Sequence, residues 1–193
     1  NTVGGVTINF DAAVTVASIR FEGASPVELT GHELRLTGGW SFKSYPGMSG
    51  QNVMVYEEST FPFFTWTSAV DVRVPVVLDS KGTTGLSSTT NAGHFYETVS
   101  APEATTLYIH NGFNANKDEV AAGVPAGFKS AYTYFHGDLL APKAKFQSAQ
   151  APCGFVHCYG RLQVKDLRCQ GWASCRQSQP LPTGKMCLNL LSG

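Results

Sequence analysis

Residues 14–23 read VTVASIRFEG, and after Ala24-Ser25-Pro26 the chain continues as VELTGHELRLTGG over 27–39. In the first stretch Val14 and Val16 share one side of an extended chain, and Ile19 and Phe21 share the opposite phase. That one-residue slip predicts a bulge or bend at Ala17-Ser18, because strand side chains alternate with period two. In the second stretch Val27 and Leu29 precede Thr30-Gly31-His32, and Leu34 and Leu36 follow. Two short alternating runs around a turn read as a hairpin. Placed together, the two stretches also look like two rungs of a β-solenoid. A solenoid needs its period to continue, and no third rung follows after Trp40. The expectation is therefore an all-β chain folded as a compact antiparallel barrel or sandwich, with long loops and at most one or two short helices.

The rest of the chain supports strands. GVTINF (5–10) places Val6, Ile8 and Phe10 on one side, and NVMVYEES, FPFFTWTS and AVDVRVPVVLD continue the extended pattern. Pro75 in the last of these argues for an edge or a bulge. GHFYETV, ATTLYIH, FKSAYTYFHGD and KAKFQSA follow. No helical period is sustained, and only ANKDEVAAG (115–123) offers a short helix. Residues 80–93, SKGTTGLSSTTNAG, read as a long Gly/Ser/Thr loop of the kind that carries function.

Composition agrees with this class. The chain has 193 residues, of which 15% are charged against an ordinary ~25%. With 20 Gly, 10 Pro, 12 Phe, 7 Tyr and 3 Trp it is too apolar and aromatic for disorder. Nothing divides residues 1–193 into parts, so one domain is expected, a fragment of a larger precursor since it opens on Asn1. Net charge is zero, but residues 1–140 hold 7 Lys/Arg against 13 Asp/Glu, and 141–193 hold 7 against Asp166 alone. The basic residues stand singly among apolar ones, which argues against nucleic-acid binding. No run reaches the ~18 apolar residues of a membrane span.

CGFVHCYGRLQVKDLRCQGWASC (153–175) holds four of the five cysteines. Cys153, Cys158, Cys169, Cys175 and Cys187 lack the tight pairs of a structural zinc site. His157 and Cys158 are adjacent, so on a strand they point apart. Small buried thiols, mostly reduced, are the expectation, with a loop-closing Cys169–Cys175 bridge as the alternative. No catalytic motif emerges. Ser49 in GMSGQ lacks the spacing of a nucleophile elbow, and Glu57 and Glu58 diverge on a strand. No metal and no cofactor are expected, and no enzyme activity. Aromatic rings near polar loops suit recognition instead. The candidates are Trp40, Lys43 and Tyr45 in GGWSFKSYPGMSG, with Asn114, Asn116 and Lys117; Tyr134 and His136 in YTYFHGD end a strand in similar company.

Taken together, TVGGVTINFDAAVTV (2–16), VMVYEESTFPFFTWTS (53–68) and CGFVHCYGRLQV (153–164) resemble the astrovirus capsid spike, including its avian type. The resemblance lies in overall character and rests on no short motif. It implies a compact β-barrel or sandwich, a two-fold homodimer on the virion surface assembled in the host cytoplasm, attachment to a glycan or protein receptor on the host cell, and recognition by antibodies. The low charge adds a physical motive for the dimer, since a two-fold interface hides surplus apolar surface. Two other classes stay open: a secreted bacterial adhesin or β-solenoid passenger fragment, and a carbohydrate-active enzyme.

Overall fold

The computed structural model describes residues 5–38, 42–46, 52–56, 64–88, 91–111, 131–148, 154–170, 175–177 and 185–189. All regular structure among them is β. The chain winds as successive coils of two or three short strands. The first coil is β1 (Val6–Phe10), β2 (Val14–Val16) and β3 (Ile19–Phe21); the second is β4 (Val27–Gly31), β5 (Leu34–Leu36) and β8 (Phe64–Trp66). Then come β9 (Val70–Val72), β10 (Val76–Leu78) and β11 (Thr83–Ser88), followed by β12 (Ala92–Phe95), β13 (Val99–Ser100) and β14 (Thr106–Asn111). Three two-strand coils complete the series: β15 (Ala131–Phe135) with β16 (Leu139–Ser148), β17 (Gly154–Cys158) with β18 (Leu162–Gln170), and β19 (Cys175–Gln177) with β20 (Lys185–Asn189).

Each strand pairs in parallel with its counterpart one coil away. Sheet A stacks β1-β4-β9-β12-β15-β17-β19, and the other coil strands form an eleven-stranded sheet B in which the long β16 pairs with both β13 and β14. In sheet A, Val6 pairs with Val27, 21 residues on, and Thr133 with Val156, 23 on. The architecture is a parallel β-solenoid, which corrects the expected antiparallel barrel or sandwich. Among the described residues the one antiparallel pair is a hairpin of β6 (Phe42–Pro46) and β7 (Asn52–Tyr56), inserted between β5 and β8. It lengthens one interval, from Val27 to its partner Val70, to 43 residues.

Several local expectations change with it. The VELTGHELRL segment is not a hairpin: β4 belongs to sheet A and β5 to sheet B, and Gly31, at φ +98°, begins the corner between them. The slip at Ala17-Ser18 is likewise a corner. It lets Val14 and Val16, then Ile19 and Phe21, all turn toward one core. Pro75 lies in the corner between β9 and β10, one coil after the Gly31 corner, where its carbonyl accepts from the Leu34 amide at 3.0 Å. The supposed loop 80–93 is mostly strand β11 and the start of β12, and residues 84–88 are buried. ANKDEVAAG lies outside the described residues.

Inward side chains fill a single core. Phe21, Phe64, Trp66, Phe95 and Phe135 form a chain of ring contacts with centroids 5.4–5.8 Å apart, and Leu29, Leu34, Leu36, Leu78, Leu86 and Leu107 are fully buried around them. Rings at these distances and tilts add to the stabilisation from burial. The packing thins at the first coil, where Ile8, Phe10, Val14, Val16 and Ile19 are only partly buried. Cys158 is a buried thiol on the inward side of β17, as expected.

Candidate functional site

Alternation that sends Val70, Val72, Phe95, Phe135 and Val156 into the core sends the intervening residues of sheet A outward. Parallel, in-register stacking then lines these residues up across coils. One column runs Glu28, Asp71, His94, Tyr134, His157, each the Cα partner of the next. Two residues further along each coil a second column runs Arg73, Tyr96, His136, Tyr159. It is held at the corner by one backbone bond per coil: Tyr96 N to Val72 O at 2.8 Å, His136 N to Phe95 O at 2.8 Å, Tyr159 N to Phe135 O at 2.7 Å.

The rings stack face to face along both columns. His94 and Tyr134 centroids are 4.5 Å apart at 7°, and Tyr134 and His157 are 4.8 Å apart at 9°. Tyr96 and His136 lie 4.6 Å apart at 8°, and His136 and Tyr159 5.3 Å apart at 13°. The Arg73 guanidinium caps the second column, 4.3 Å from the Tyr96 centroid. The spacing follows from the sheet, because adjacent strands are ~4.8 Å apart and planar rings stack well at that distance. The columns are tied by His94 Nδ1 and His136 Nε2, 3.0 Å apart. A contact of that length between two imidazole nitrogens requires one proton between them, so at least one of the two facing nitrogens is an acceptor.

Charge on this face is largely settled internally. Arg73 Nε donates to Glu28 Oε1 at 2.7 Å, and its guanidinium lies 3.9 Å from Asp71. Burial, and then His94, push the His136 pKa below its ordinary value, with Asp71 opposing. Burial and the phenols of Tyr132 and Tyr159 push Tyr134 above its usual value, so its hydroxyl stays a donor. Ring faces are used up in stacking. What the columns offer outward is ring edges, phenol hydroxyls and imidazole nitrogens on a rigid sheet, a set that binds through hydrogen bonds and close apolar contact. Among the described residues no group of three His, Cys, Asp or Glu side chains could hold a metal ion.

Of the residues singled out from sequence, Lys43 and Tyr45 lie on β6 of the inserted hairpin. Trp40, Asn114, Asn116 and Lys117 lie outside the described residues. Tyr134 and His136 sit at the centre of the two columns. Sequence reasoning missed their partners His94, Tyr96, His157 and Tyr159. The signal was present as His-Phe-Tyr at 94–96, Tyr-Phe-His at 134–136 and His-Cys-Tyr at 157–159, an inward residue flanked by two outward rings.

No protein-family model, curated protein or solved structure matches this chain.

Proposed function

We propose that this chain is a non-enzymatic recognition module, a stretch of β-solenoid that attaches to a cell-surface partner through the tyrosine–histidine face of sheet A. The observation that supports this reading is the pair of ring columns. Tyrosine and histidine edges held rigidly by a backbone ladder lose little side-chain entropy on binding, which is what recognition surfaces gain from aromatic residues. Attachment is common to the spike and the adhesin expectations. The spike resemblance carries a compact barrel with it, whereas the adhesin or passenger reading carries a solenoid, so we favour the latter.

The test is attachment of the labelled chain to cultured cells, with Tyr159→Ala and Tyr134→Phe beside the wild type. Tyr159 is 46% exposed at the end of its column, so its removal leaves the core intact. Attachment should fall in both variants with the melting temperature within a few degrees of wild type. Undiminished attachment by both, or attachment lost only when Trp40 and Tyr45 are replaced, would place recognition on the hairpin segment instead. Sedimentation velocity on the same samples distinguishes a monomeric solenoid from the two-fold dimer of the spike reading.

A further inference from the structure

At the Glu28–His94 end of the first column sheet A carries an open groove of about 520 Å³, lined by Gly5, Pro26, Ala69 and Ala92 along one side and Thr7, Glu28, Asp71 and His94 along the other. We infer that this groove is a binding site for a linear, uncharged oligosaccharide, laid along the solenoid axis with its hydroxyls toward Glu28 and Asp71. The inference rests on the recognition reading and names a ligand class for the same sheet.

The two sides have different chemistry and a common repeat. Gly5, Pro26, Ala69 and Ala92 each stand two residues before the Thr7, Glu28, Asp71 and His94 of the same coil, so both sets face outward. Small side chains recur once per coil and leave a flat apolar floor. Polar side chains recur in step beside it at ~4.8 Å, which over four coils gives a trough of ~14 Å, room for roughly three sugar rings. In the next coil the floor position is taken by Tyr132, the Cα partner of Ala92, so the run of small residues ends there.

On the polar side Glu28 and Asp71 supply acceptors, and the Thr7 hydroxyl already donates to Glu28 Oε2 at 3.5 Å. Ionised carboxylates only accept hydrogen bonds, so a ligand must bring donors. Backbone groups do not alter that balance, because the floor is bonded to itself: Val6 N donates to Pro26 O at 2.8 Å and Val27 N to Ala69 O at 2.9 Å. An extended peptide presents as many carbonyl acceptors as amide donors and would leave its carbonyls unpaired here, at a cost. A row of sugar hydroxyls can donate throughout, while the C–H face of each ring lies on Ala69 and Ala92. Glu28, Asp71 and Arg73 together carry one net negative charge, which disfavours uronic or sulfated glycans.

The experiment is an array of linear neutral, acidic and amino oligosaccharides of graded length, probed with the intact chain, together with a set of basic extended peptides. Binding to neutral oligosaccharides, strengthening with length up to about three units, is expected. Asp71→Asn should weaken it about tenfold, as loss of a charged acceptor does. Ala92→Trp, which fills the groove from a half-exposed position, should abolish it, and Thr7→Trp in the exposed first strand serves as a second block should Ala92→Trp unfold. Binding confined to acidic glycans or to peptides, no binding at all, or neutral-glycan binding that survives both blocks would overturn the inference. Cell attachment by the wild type with a blank array sinks the groove and leaves the recognition reading standing. A positive array without cell attachment does the reverse.

Discussion

His110 gives the sharpest quantitative test of this fold. On β14 it has Ser87 as its Cα partner, and Ser87 in turn has Thr65. Alternation against inward Leu107 and Ile109 places this column on the outer side of sheet B, yet Thr65, Ser87 and His110 are 3%, 1% and 5% exposed. Burial first, and the positive charge of Lys145 second, lower the His110 pKa from 6.5 to about 4. The folded chain therefore binds fewer protons than the unfolded chain between those values. Stability conferred by the neutral ring is complete above pH 6.5 and drains away as pH falls toward 4, by ~3 kcal/mol in all. That is a large share of the 5–15 kcal/mol typical of a domain. Urea unfolding of wild type and His110→Gln at intervals from pH 7.5 to 3.5 isolates the contribution of this ring, since the other titrating groups are common to both proteins. The wild type should lose ~3 kcal/mol more than the variant across the window, with the gap constant below about pH 4. Parallel curves, or an NMR titration of His110 centred near 6.5, would refute the burial of this column and with it the outer packing of sheet B.

Three further outcomes follow from particular contacts. A Cβ on Gly93 would lie 2.5 Å from Trp66 Cζ2, and Trp66 is fully buried with its Nε1 donating to Asn91 O at 3.1 Å; Gly93→Ala should cost ~1–3 kcal/mol through overpacking, measured by urea midpoint. Phe95→Ala at the centre of the ring chain should cost ~3–5 kcal/mol, and Ile8→Ala in the thinly packed first coil clearly less than that; equal losses would contradict the burial gradient. Asp138 is held below its usual pKa by hydrogen bonds from the Arg161 side chain and backbone. Its contribution is present above the unfolded value of 3.8 and is lost as pH falls through the lower folded value, so Asp138→Asn should flatten the stability curve only below about pH 4.

Strand content and strand phase were legible in the sequence; sheet type was not. Strict alternation is ordinarily the mark of antiparallel sheets with one wet face, because most parallel sheets are covered on both sides and read as continuous apolar runs. A solenoid breaks that association. Its parallel strands each turn one side to a shared core and the other to solvent, so Val70-Asp71-Val72 and Ala131-Tyr132-Thr133-Tyr134-Phe135 alternate as hairpin strands would. Corners added to the confusion: Thr30-Gly31-His32 carries the residues of a hairpin turn while bending the chain from one sheet to another.

The repeat was hidden for a separate reason. Coil 2 is interrupted by the β6–β7 hairpin between β5 and β8, and between Gly93 and its partner Thr133, 40 residues apart, the interval is stretched again. The period thus fails at the first place one looks for a third rung. Equivalent inward positions share only the need to fit the space beside their neighbours, so Gly93 and Thr133 occupy one column with Val70 and Val156. The outward columns are different. Stacked rings need a planar partner in the next coil at the same position, so residue type itself is constrained, and the alternation of His or Tyr around one inward residue at 94–96, 134–136 and 157–159 is a repeat that sequence alone could have exposed. It follows that the solvent face of sheet A is specified more narrowly than the core beneath it. Core packing asks for apolar volume of the right shape, as the close approach of Gly93 to Trp66 shows; the outward columns ask in addition for a planar ring at the same position in the next coil.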